Sequence, residues 1–309
     1  MKKIWGLLIT HVKADFHPGY YGAVFVFLVI CITLNFTYDI EDSHIDTLDG
    51  ISRFVSFFAA HALAWFVPVF LGLWFRRKSF RLSREFWLRS IIALALLSLE
   101  RSNLLLDPLV DRFDFAMQHY AHKVLNNFSG IVLVVLPLYL FFRWKDQRHT
   151  NFYGLTTLPF DVRPYFILLA IAIPMLAVAS FNKGFQHQYP MYVETGAYIF
   201  LEINQWITVA VYEFAYAVNF VSIEFFYRGF LVLGMASVLG RSSVLPMACL
   251  YCFLHFGKPA PEAISSIFGG YLLGVISFET RSIWGGIIVH IGIAWSMELL
   301  AFLQKQWNS

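Results

Sequence analysis

Glu224 and Arg228 stand four residues apart in VNFVSIEFFYRGFLVLGMA (218–236), a run that is otherwise apolar or aromatic. Charge is expensive there: an ionised group at bilayer depth costs at least about 2.5–3.5 kcal/mol, so such groups face a protein interior or a wet cavity and are paired. The i, i+4 spacing lets each compensate the other on one helix face. Further along, His255 ends YCFLHF, Glu262 opens the following helix, and His290 lies in WGGIIVHIGIAW. A buried carboxylate whose pKa is raised by desolvation is a general base for water. Imidazoles can hold the nucleophilic water or an oxyanion. Together Glu224, Arg228, His255 and His290 read as a hydrolytic site; singly, each also fits a structural ion pair or a satisfied core histidine.

The elements that must position these residues are membrane helices. The chain has 309 residues, 58% hydrophobic and only 14% charged, with 33 Phe. It has too little polar side chain to cover a soluble globule. Alternating ten-residue segments of the membrane-barrel type are absent, which leaves an all-α polytopic bundle of about eight transmembrane helices. Apolar runs start near Gly19, Ile51, Leu88, Phe128, Tyr165, Ala197, Ser243, Ala263 and Ile283, against the roughly 20 residues a crossing needs. The stretch from Ala197 to Leu239 is too long for one perpendicular helix, so an interfacial or broken segment is expected before the Glu224 helix. The last runs are joined by GKPAPE and ETRS, turns short enough to force antiparallel neighbours. Residues 1–196 read as N-terminal helices and 197–309 as the core that carries the chemistry, in one integral bundle.

The formal net charge of +3 is modest and gives no nucleic-acid signal. Its distribution is informative. TYDIEDSHIDTLDG after the first span is acidic, and RRKSFRLSREFWLR after the second is strongly basic. The positive-inside rule puts the basic loop and the N-terminus in the cytoplasm. Glu100 and Arg101 read as a pair closing the third span, and DPLVDRFDFAMQHYAHKVLNN as a surface helix. Cys249 and Cys252 form a CxxC beside His255, but structural zinc wants four ligands and no further cluster is nearby, so neither metal nor cofactor is expected.

With these residues in view, the sequence resembles the CAAX prenyl protease and bacteriocin-processing (CPBP, or Abi) intramembrane endopeptidases. The family motifs are Glu-Glu-x-x-x-Arg, Phe-x-x-x-His and His-x-x-x-Asn. They correspond here to Ile223-Glu224…Arg228, Tyr251…His255 and His290…Ala294. The resemblance spans about residues 205 to 300 and is degenerate in the first and third motifs: Ile223 replaces the glutamate held to activate water, and Ala294 the asparagine that helps stabilise the oxyanion.

The resemblance implies a CAAX-protease-like fold in the plasma (inner) membrane and hydrolysis of a membrane-tethered, possibly prenylated, polypeptide. In that reading Glu224 or a substitute activates water, His255 and His290 hold water and oxyanion, and Arg228 orients Glu224. Glu213, three turns up the same helix face, is a weaker substitute base. A catalytically inactive scaffold or immunity-type protein, and a transporter, stay open as alternatives. If the site is catalytic, Glu224, His255 and His290 should converge in a cavity that opens toward the cytoplasmic leaflet.

Overall fold

The computed structural model describes residues 2–76, 82–147, 151–155, 161–192 and 196–308. Most of the basic loop after the second span, including Arg77, Lys78 and Arg81, lies outside the described residues. Ten helices organise the described chain: α1 (Lys2–Asp15), α2 (Pro18–Tyr38), α3 (Gly50–Arg76), α4 (Arg84–Arg101), α5 (Phe115–Asp146), α6 (Arg163–Ala179), α7 (Gln205–Glu224), α8 (Val244–Phe253), α9 (Ala260–Thr280) and α10 (Trp284–Asn308). No strand occurs among the described residues.

Local signals set the helix starts. Ser83 Oγ accepts from the Phe86 N–H at the head of α4, and Asn204 Oδ1 from the Trp206 N–H at the head of α7. Each cap satisfies one orphan donor. Pro18 and Pro164 sit in the first turns of α2 and α6, where their missing N–H costs nothing. Beyond Glu224, α7 continues as a π-helical run, Phe225–Gly234. Every side chain of that run is buried, and wide turns of this kind are frequent at functional sites.

Among the described residues, six helical segments are long and apolar enough to cross a membrane: α2, α3, α5, the α7–α8 run, α9 and α10. Two more run alongside them. The 18-residue α4 carries Arg84, Glu85, Arg89, Glu100 and Arg101, and α6 has 17 residues. The run expected to cross from Ser243 to Phe256 is shorter than a span: α8 has 10 residues, about 15 Å at 1.5 Å per residue. All ten of its side chains are buried. It packs against α9 where a β-carbon on Gly270 would fall 2.9 Å from the Tyr251 ring and one on Gly274 2.5 Å from Met247 Cε. Small residues let two membrane helices approach this closely, and packing contacts then hold them together.

Ion pairs tie both ends of the bundle. At the N-terminal pole, Arg76 forks onto Asp15 with Ser242 bonded to the same carboxylate, and Arg89 forks onto Asp146 beside Tyr153. At the opposite pole, Asn35 donates to the Phe256 carbonyl and Arg101 to Glu41. Burial pushes the Glu41 carboxyl up to about 7, outweighing the opposing pull of Arg101. The polar segment expected as a surface helix divides: Asp107–Val110 is a short helix, and from Phe115 the chain is already in α5. His119, His122, Lys123, Asn126 and Asn127 therefore face inward along a crossing helix, toward a cavity.

Candidate active site

A chamber of about 1050 Å³ opens between α4, α5, α6, α7, α9 and α10. It reaches from Arg228 near mid-bundle to Lys123, Tyr189, Lys258 and Glu262 at the pole opposite the N-terminus. That is the pole of the acidic 39–49 loop. The N-terminus and the chamber mouth, expected at one face, thus lie at opposite ends.

Three of the four residues singled out from the sequence, Arg228, His255 and His290, line this chamber, and Glu224 touches two of them from behind. Glu224 and Arg228 are both fully buried. Glu224 Oε1 lies 2.9 Å from His290 Nδ1 and 2.9 Å from the Arg228 guanidinium. A carboxylate only accepts, so His290 carries its proton on Nδ1. Its Nε2 faces the Tyr251 hydroxyl at 3.0 Å, which completes a chain from Glu224 through His290 to Tyr251. The Phe220 ring packs on the imidazole with centroids 4.4 Å apart and fixes its plane.

His255 is set by a different rule. Its Nδ1 is 2.8 Å from the Tyr251 carbonyl oxygen, which can only accept, so Nδ1 is protonated. The neutral ring then offers an Nε2 lone pair on the chamber wall. Tyr251 spaces the two histidines, its ring centroid 4.6 Å from that of His255 and 6.0 Å from that of His290. The Arg228 guanidinium lies 4.4 Å over the same ring. Its approach to Glu224 is close, but among the described residues none of its three nitrogens has a well-directed hydrogen-bond acceptor.

Glu224 does not itself reach the wall. No substrate-bound water in the chamber can touch its carboxylate, so the arrangement does not fit the base role expected for it. The chamber position belongs to its neighbour Ile223. Glu213, the weaker candidate, is also absent from the wall. Glu100 and Arg101, expected to close a span, do line the chamber. Gly286 gives no sequence signal of its own, yet a β-carbon there would fall 2.2 Å from Glu224 Oε2. Only a glycine leaves room for the carboxylate.

Residues 204–296 match the family described as type II CAAX prenyl endopeptidase, Rce1-like. Over this segment, about a third of its length, the chain is similar to the CAAX-protease family. No curated protein matches it, and no solved structure does. The matched segment holds α7, the π-helical run, α8, α9 and the first half of α10, with Glu224, Arg228 and His290 on them and His255 in the turn after α8. Against the family pattern, Ile223 puts an apolar side chain on the wall where the first glutamate would stand. Ala294 is buried in a cluster with Tyr212, Tyr216 and Phe220.

The CAAX-protease label invites a metal test. Among the described residues no three His, Cys, Asp or Glu side chains converge as a ligand set. Both nitrogens of His290 are engaged and one of His255 is held by a carbonyl. The donors present do not fit a bound metal.

Proposed function

We propose that this protein is an intramembrane peptidase that hydrolyses a peptide bond of a membrane-tethered polypeptide, with its N-terminus in the cytoplasm. The observation that carries the reading is the convergence of His255, His290 and an unsatisfied Arg228 on one chamber deep in an apolar bundle.

His255 acts as the base. Water on its Nε2 gives up a proton as its oxygen attacks the scissile carbonyl carbon. The carbonyl π pair moves onto oxygen, and the Arg228 guanidinium, whose nitrogens have no well-directed acceptor among the described residues, stabilises the anion. Charge developing beside preformed donors in a water-poor site is worth far more than in bulk water. Collapse of the tetrahedral species expels the amine, which takes the proton from His255. The products are a carboxylate and an amine. Glu224 is a positioning residue: it holds His290 in the tautomer that receives the Tyr251 hydroxyl, and it balances the Arg228 charge. The apolar faces of α6 (Ala172, Met175, Leu176) and α9 (Gly269, Leu272) in the chamber wall suit a lipid tether.

The test is cleavage of fluorogenic, lipid-modified peptides by the purified protein. Turnover that falls to background in His255→Ala and His290→Ala, with both variants folded, supports the reading. Absence of turnover in the wild type under conditions where an active family member cleaves assigns the chain to a non-catalytic scaffold.

A further inference from the structure

The side of the membrane from which the chamber is entered follows from two independent observations. The first is geometric. Successive helices alternate direction, and long-range contacts fix which ends share a pole: Asp15 with Arg76 and Ser242 at one, Glu41 with Arg101, Tyr189 with Glu262 and Met191 with Glu298 at the other. All but Val134 of the chamber-lining residues of α4, α5 and α6 fall in the half of each helix that faces the second pole: Glu100 at the end of α4, His119 to Gly130 at the start of α5, Ala172 to Ala179 at the end of α6.

The second is charge. Lys13, Arg76, Arg84, Arg143, Lys145 and Arg163 sit at helix ends of the N-terminal pole, where Arg241 and Arg281 join them. The chamber pole carries Asp39, Glu41, Asp42, Asp46 and Asp49 between α2 and α3, and Asp107, Asp111 and Asp114 between α4 and α5. Short loops rich in Lys and Arg stay on the cytoplasmic side. The chamber pole also holds Arg53, Arg101, Arg112, Lys183, Lys258 and Lys305, so the orientation rests on the Lys- and Arg-bearing helix ends of the N-terminal pole and not on the acidic loops.

We propose that the chamber opens on the extracytoplasmic face, and that the chemical class it receives is an exported polypeptide anchored in the outer leaflet, not a cytosolic chain with a prenylated C-terminus. The orientation stands on the fold and the charges; the hydrolysis of that polypeptide rests on the peptidase reading above.

The test separates the two. In a background with Cys31, Cys249 and Cys252 replaced by Ala, single cysteines are placed at the exposed positions Asp114 and His119 at the mouth, and at Arg143 and Lys145 at the other pole. Intact spheroplasts expressing each variant in a bacterial plasma membrane are treated with a membrane-impermeant maleimide, before and after permeabilisation. Labelling of Asp114→Cys and His119→Cys in intact spheroplasts, with Arg143→Cys and Lys145→Cys labelled only after permeabilisation, is expected. The reverse pattern overturns the proposal. In a second arm, a lipid-anchored fluorogenic peptide is added outside right-side-out vesicles or trapped within them. Cleavage only of the outside peptide is expected, and cleavage only of the trapped peptide overturns the assignment of substrate. External mouth labelling with no cleavage in either arrangement upholds the orientation and sinks the peptidase reading instead.

Discussion

The Nδ1 of His290 lies 2.9 Å from Glu224 Oε1, and the second oxygen of that carboxylate occupies space that only a glycine at 286 leaves open. The carboxylate that matches the remaining glutamate of the first motif is thereby buried behind an imidazole, and its charge reaches the chamber only through His290.

Gly286→Ala puts a methyl 2.2 Å from Glu224 Oε2. Overpacking a tight interior costs about 1–3 kcal/mol, and here the displaced oxygen belongs to the carboxylate whose other oxygen orients His290. Turnover should fall at least tenfold and the melting temperature by several degrees. Gly22→Ala, where a β-carbon meets nothing within 4 Å, should match the wild type in both measurements.

Glu224 and Arg228 are buried together with no exposure. Removing one partner of such a pair leaves a stranded charge and costs about 3–5 kcal/mol, whereas replacing both by apolar groups is often neutral. Arg228→Met should be severely destabilised in thermal melts, and the double variant Glu224→Leu/Arg228→Met should recover much of that loss. Neither should cleave peptide, because the oxyanion donor is gone in both.

Ile223 stands on the chamber wall. A carboxylate at that position would be wet and could take the proton of an attacking water, a contribution of typically 10²–10⁴-fold for a positioned base. Ile223→Glu is therefore expected to fold and to raise turnover at least tenfold over the wild type in the same peptide assay.

At the chamber pole, burial raises the Glu41 carboxyl from its ordinary value to about 7. A raised folded-state pKa adds stability that is complete below the unfolded value near 4.5 and is lost as pH rises through 7. Melting temperature should decline from pH 5 to pH 8, and Glu41→Gln should flatten that decline.

The fold class and the helices bearing Glu224, His255 and His290 were legible because apolar runs of membrane length and charged loops are one-dimensional signals. The residues that meet in the chamber could be named for the same reason: a polar side chain inside an apolar run stands out. What was not legible is direction. On adjacent helical positions, Ile223 and Glu224 differ by about 100°, and which of them faces water depends on how α7 rotates against α10. The inward-facing polar residues of α5, His119 to Asn127, read as surface in the sequence because the mouth of a polar-lined chamber and bulk solvent select the same side chains. Gly286 could not be found at all, since its role is the space it leaves for an atom 62 positions away.

Chemical rescue tests most directly whether His255, and not Glu224, takes the proton from water. His255→Ala leaves a gap on the wall of a chamber of about 1050 Å³, into which free imidazole can diffuse; Glu224→Ala leaves a gap sealed behind His290. The account predicts that millimolar imidazole restores peptide cleavage to His255→Ala and that formate restores none to Glu224→Ala. Rescue of Glu224→Ala by formate, with no rescue of His255→Ala by imidazole, would contradict it and return the base role to the glutamate.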